Sequence, residues 1–122
     1  MSVWGLGAAT RIYLAAGATD MRKGYEGLYG LVRDQLRQDP LSGHVFLFTN
    51  RQRTRVKALY WDGSGLWVCG KKLARGRFHW PDPQPDGGAI TLRAEELALL
   101  LGGLDLGEIR PRRWYRRTPS AA

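Results

Sequence analysis

The stretch "RVKALYWDGSGLWVCGKKL", Arg55 to Leu73, decides how this chain folds. Asp62-Gly63 tolerates the positive φ angles of tight turns, and it stands between two runs that alternate in polarity. Together these mark a β-hairpin. A loop of two residues or of four leaves the same parity, so the side chains divide in one way only. Val56, Ala58, Tyr60, Trp67, Cys69 and Leu73 fall on a mostly apolar face, expected to pack beneath a helix. Arg55, Lys57, Leu59, Trp61, Leu66, Val68 and Lys72 fall on the other. That second face is cationic toward the open end of the hairpin and aromatic or aliphatic toward its turn.

Upstream, the apolar run "RIYLAA" (11–16) predicts a strand ending near Gly17. Thr19 or Asp20 offers a capping oxygen for a helix beginning near Met21. Met21, Tyr25, Leu28, Val32 and Leu36 recur at three- and four-residue steps and give that helix one apolar stripe. Gly24, Gly27 and Gly30 each cost about 1 kcal/mol of helix propensity relative to Ala, which points to a close approach of helix to sheet. The helix should stop before Pro40. "VFLF" (45–48) is short enough for a buried strand, and "NRQR" makes a polar turn into the hairpin.

Downstream, three prolines and two glycines between Pro81 and Gly88 make a loop. Beyond it, Ile90 and Leu92 fit an edge strand, or Thr91 caps a short helix, whose apolar face carries Leu97, Leu100, Leu101 and Leu104. Gly102-Gly103 is its natural stop. The tail from Arg110 holds five arginines in eight residues and few aliphatics, which favours an extended, flexible arm. The expectation is therefore an α+β fold: residues 1–109 form one compact domain, with a small antiparallel sheet, one long helix packed on a face and a short C-terminal helix. Residues 110–122 form a basic arm.

Composition bears on partners. Nineteen Lys and Arg against eleven Asp and Glu give a net charge of +8 and a pI near 10.3. Such an excess draws polyanions at long range. No apolar run reaches the roughly 18 residues that span a bilayer, and the start lacks the early positive region of a secretory signal. A cytoplasmic protein without membrane partners is expected. Cys69 is alone, so no internal disulfide forms.

The residues of catalysis are thinly spread. Metal-dependent phosphoryl chemistry needs clustered carboxylates, whereas here Asp20 reads as a helix cap, Asp62 as a turn residue, Asp82 and Asp86 as loop residues, and Glu95 and Glu96 as first-turn acids. His44, His79 and Cys69 do not fill a four-ligand zinc site. Gly63 and Gly65 sit in a hairpin turn and open no helix, so no phosphate loop is present. Neither catalytic residues, metal nor cofactor are expected.

The basic constellation is denser. Arg51, Arg53, Arg55, Lys57, Lys71, Lys72, Arg75 and Arg77 face a single acid, Asp62, within the same segment. Most belong to the open end of the strand pair or the loops beside it, so they converge. Several phosphate contacts together dominate non-specific affinity for nucleic acid. Trp61 and Trp80 are candidates for stacking on unpaired bases, against the alternative of core packing; Trp67 is expected in the core. In the tail, Arg112, Arg113, Arg116 and Arg117 suit an arm on phosphates or on a protein partner.

The blocks "TDMRKGYEGL" (19–28), "DPLSGHVFLF" (39–48), "RVKALYWDGSGLWV" (55–68) and "KKLARGRFHWP" (71–81), followed by "EELALLLGGLD" (95–105) and a basic tail, resemble one family in order and spacing. It is the TnpB accessory-protein family, the second open reading frame of IS66-type insertion sequences. It is distinct from the RNA-guided nuclease of the same name. The resemblance runs from about Arg11 to Trp114. It implies a non-catalytic factor for transposition of a bacterial mobile element, with DNA, the element's larger transposase, or both as partners. Its catalytic acids belong to that larger partner. A general single-stranded nucleic-acid or RNA-binding module is the alternative, and oligomeric state is left open.

Overall fold

The computed structural model describes residues 9–82 and 89–102. Five strands and two helices follow in the order β1 (Ile12–Ala18), α1 (Tyr25–Asp34), β2 (Val45–Thr49), β3 (Arg55–Trp61), β4 (Leu66–Lys72), β5 (Ile90–Leu92) and α2 (Ala94–Gly102). The strands form one sheet in the order β4-β3-β2-β1-β5. The fold is α+β, as expected, but the sheet is mixed rather than wholly antiparallel. β1 and β2 run parallel, with Ile12 opposite Val45 and Leu14 opposite Leu47. The cause is connectivity: α1 returns the chain to the end of the sheet where β1 began, so β2 must run the same way. The remaining pairs are antiparallel.

The hairpin has a four-residue loop, with Trp61 opposite Leu66 and Arg55 opposite Lys72, so the division of faces stands. Which helix covers which face is the reverse of the expectation. α1 lies on the face of Leu59, Leu66 and Val68, in a core with Tyr13, Leu28, Val32, Leu36, Phe46 and Phe48. The Val56 and Ala58 face is covered by α2 through Leu97 and Leu100, and by Phe78 and Trp80 from the segment after β4. β2 explains why both faces need a cover. All five of its residues are buried, with Phe46 and Phe48 turned to α1 and Val45 and Leu47 to α2. A central strand apolar on both sides requires a layer on each.

Two corrections follow at α1. The helix begins one turn later than expected, at Tyr25, with Gly24 as N-cap and no side chain capping it. Asp20 does not cap, because its carboxylate accepts from the Arg22 amide at 2.9 Å and from the Arg22 guanidinium. The glycines do not bring helix and sheet together. A Cβ at Gly30 would meet only the Arg33 guanidinium, at 3.9 Å; one at Gly27 would meet the Lys23 side chain; one at Gly24 would meet nothing within 4 Å.

The tryptophans also exchange places. Trp80 is 4% exposed, and its indole N–H donates to the Ala15 carbonyl at 3.0 Å. Trp67 is 52% exposed and donates to the Asp62 carboxylate at 2.8 Å. Among the described residues β4 is an edge strand, and Trp67 stands exposed on it, while Trp80 packs with Leu97 and Leu100 of α2. Among the described residues, no helix is long and apolar enough to cross a membrane. The basic arm lies outside the described residues, as do Asp86, Leu104 and the boundary at residue 109.

Candidate nucleic-acid interface

Sheet direction gathers the cations. Because β1 and β2 are parallel, their C-terminal ends, at Ala18 and Thr49, lie side by side, and the Thr19 amide donates to the Thr49 carbonyl at 2.7 Å. β3 starts at that same end, and β4 finishes there with Lys71 and Lys72. The β1–α1 loop therefore meets the β2–β3 turn and the open end of the hairpin. Met21 from that loop, Arg55 and Lys57 from β3, and Gly70, Lys71 and Lys72 from β4 line one shallow cavity of about 280 Å³.

Within this end the cations divide by what they do. Arg51, Arg55, Lys72, Arg75 and Arg77 are exposed. Arg55 and Lys72 are direct cross-strand partners of like charge. Such a pair is unfavourable for the sheet itself.

Three of the expected contacts also serve the fold. Lys57 Nζ donates to the Lys23 carbonyl at 2.9 Å and ties β3 to the loop before α1. Lys71 Nζ donates to the Leu101 carbonyl at 2.9 Å, at the C-terminal end of α2 where carbonyls lack helical partners. Arg53, at φ 59°, donates from Nη1 to the Trp80 carbonyl at 3.1 Å and lies 3.8 Å from the Asp82 carboxylate. Its own carbonyl accepts from the Phe78 amide at 2.7 Å. Arg53 thus fastens the segment that carries Phe78 and Trp80 onto the sheet, and only part of its charge faces outward.

Trp80, buried, leaves the interface. Trp61 is half-buried at the opposite end of β3, beside the hairpin loop, and so stands apart from the cations. Arg112, Arg113, Arg116 and Arg117 lie outside the described residues.

The structure adds two residues that sequence reasoning passed over, Arg22 and Lys23. Both precede α1 in the β1–α1 loop, whose Met21 lines the cationic cavity. The Arg22 side chain is 91% exposed, and the Asp20 carboxylate grips one edge of it: Nε lies 3.1 and 3.2 Å from the two oxygens and Nη2 lies 2.8 Å from one. These bonds from the Arg22 guanidinium, and then the one from its amide, hold Asp20 well below the ordinary carboxylate range. Their signal in sequence was the "TDMRKG" block itself, in which an Asx turn competes with a helix cap.

The acids are engaged elsewhere as local structural acceptors. Asp62 takes the Ser64 amide and hydroxyl, the Gly65 amide and the Trp67 indole. Asp34 pairs with Arg33, Asp39 accepts from the Leu41 amide, and Glu96 from the Arg93 amide. Among the described residues, no three His, Cys, Asp or Glu side chains gather as a metal site.

Comparison with known proteins bears on this arrangement. The sequence model of the family described as IS66 Orf2-like protein matches residues 10–111. The chain is also similar to uncharacterized protein y4hO of Sinorhizobium fredii (strain NBRC 101917 / NGR234), at 39% identity over 99 residues, covering 81% of this chain and 84% of that one. Uncharacterized protein y4jC of the same strain is 38% identical over 111 residues, covering 91% and 93%. No solved structure matches the chain.

Proposed function

The chain belongs to the IS66 Orf2-like family, accessory proteins of insertion sequences, and from that premise we propose that it serves transposition by binding DNA through the cationic end of its sheet. One observation carries this reading. Arg55 and Lys57 of β3 and Lys71 and Lys72 of β4 line one cavity, at the end of the sheet where the β2–β3 turn also lies. Charges scattered for solubility have no reason to converge. Convergent ones hold several phosphates at once and release their counterions.

The contact is with the sugar–phosphate backbone of a duplex rather than with stacked single-stranded bases. Trp80 is buried and Trp61 lies away from the cations, so among the described residues this end offers no indole for stacking. The protein contributes no bond-breaking chemistry of its own in this reading, because each described carboxylate named above is already an acceptor in a turn, ion pair or cap. Its partners are the DNA of the element and the transposase that acts on it.

Binding to duplex DNA across a range of salt concentrations tests the proposal. The logarithm of affinity should fall against the logarithm of salt with a slope of about −3 to −6, as for several phosphate contacts. The double variant Arg55→Gln/Lys72→Gln spares the residues that brace the fold. It should bind more weakly, with a slope shallower by about 2. An unchanged slope in this folded variant removes the cationic end from the interface. Metal-dependent nicking by the purified protein, abolished by Asp20→Asn or Asp62→Asn, overturns the non-catalytic part.

A further inference from the structure

We propose that Arg22, braced by Asp20, reads a guanine in the major groove of the bound duplex and so gives this interface sequence specificity. The inference rests on the DNA-binding reading above and adds to it a residue and a base. Its basis is the geometry of one guanidinium. Asp20 occupies Nε and one N–H of Nη2. The other edge of the fork, Nη1 and the second N–H of Nη2, takes no protein partner among the described residues. The side chain is 91% exposed, so that edge meets solvent. Two parallel N–H groups on a planar fork match the O6 and N7 acceptors of guanine, the commonest specific contact in the major groove.

A phosphate would also fit an arginine fork, but Asp20 argues against it here. Its two oxygens lie within 3.2 Å of the guanidinium nitrogens and carry a negative charge. A phosphate docked on the same guanidinium would sit close to that charge, whereas a base edge is neutral. The carboxylate beside the fork is also an acceptor suited to a cytosine amino group. Restraint matters too. A side chain already fixed by a bidentate partner loses less conformational freedom on binding than a free arginine does. Arg55 and Lys72 have no such carboxylate brace among the described residues and suit the backbone.

Position completes the argument, because the brace alone is not distinctive. Arg33 and Asp34 form the same kind of fork, at 2.8 and 2.9 Å, in the last turn of α1. That pair lies beside Leu66, at the end of the sheet away from Lys72. Of these two forks, the Asp20–Arg22 one belongs to the loop that reaches the end of the sheet carrying Arg55 and Lys72, through Met21 and the Lys23 carbonyl, and nothing lies within 4 Å of the position of a Cβ at Gly24 beside it.

The test is selection of duplexes from a pool with a randomised core, followed by affinity and salt titrations on the selected and an unselected sequence. Wild type should enrich a motif with a guanine at a fixed position. Arg22→Lys should lose about 5- to 150-fold in preference at that guanine, while its affinity for unselected duplex and its salt slope stay near wild type. Asp20→Asn should weaken the same preference, and Arg33→Lys should leave it intact. If wild type binds duplex but enriches no motif, the inference fails and backbone binding stands. It fails equally if Arg22→Lys weakens all sequences alike and lowers the slope by about 1, the mark of a phosphate contact. If wild type binds no duplex even at low salt, the DNA-binding reading itself falls and takes this inference with it.

Discussion

The Asp62 carboxylate is the most heavily used acceptor in the hairpin. The Ser64 amide, the Trp67 indole, the Ser64 hydroxyl and the Gly65 amide lower its pKa to about 2. A carboxyl whose folded value lies below its unfolded one contributes stability above the unfolded value, and that contribution is lost as pH falls through the folded one. Asp62→Ala should therefore lower the melting temperature at neutral pH. Its difference from wild type should shrink between about pH 4 and pH 2, seen by thermal unfolding across that range. Trp80 and Trp67 supply a second contrast. Trp80→Ala removes a buried indole and a hydrogen bond to β1, and should cost about 3–5 kcal/mol in chemical denaturation. Trp67→Ala, at a half-exposed site on the edge strand, should cost far less, within about 1 kcal/mol. Equal losses would contradict the assignment of core and surface.

α1 shows how an element is chosen despite its own composition. Gly27 and Gly30 weaken a helix of ten residues, yet Leu28 and Val32 are fully buried against Phe46, Phe48 and Leu59. Tertiary burial, not propensity, holds it in place. Gly30→Ala adds a methyl group into open space near Arg33, with no strained backbone angle to oppose it. It should stabilise the fold by about 0.5–1 kcal/mol, measured as a shift of the denaturation midpoint. A loss of stability would show that the new methyl meets something the open space does not suggest. The late start of α1 has a consequence for function as well. The four residues spent on the turn at Asp20 to Lys23 put Arg22 and Lys23 in a loop at the cationic end, rather than on the side of a helix.

At the scale of the whole molecule, the placement of charge counts for more than its sum. Arg55→Gln/Lys72→Gln and Arg33→Gln/Arg37→Gln each lower the net charge of +8 by 2. Only the first pair sits at the gathered end, so DNA affinity should fall clearly in the first variant and little in the second, by titration at equal salt. Similar losses would mean that net charge alone attracts the duplex. Much of this was legible along the chain. The alternation around Asp62-Gly63 set the hairpin, its parity and the two faces, because period-2 geometry is local. The turn chemistry of Asp62 and the separate apolar runs of the other strands were legible for the same reason. Other features depended on segments far apart in sequence. The parallel β1–β2 pair follows from a crossover, and the choice of face by each helix follows from β2, whose two apolar sides need two covers. The exchange of Trp67 and Trp80 follows from which strand became an edge. Local sequence determined the elements and where the cations fall along them. Only the tertiary structure decided that the ends of β1, β2 and β4 and the start of β3 coincide, because strand direction is set by connections, and that coincidence brings the loop that carries Arg22 to the end of the sheet that carries Arg55 and Lys72.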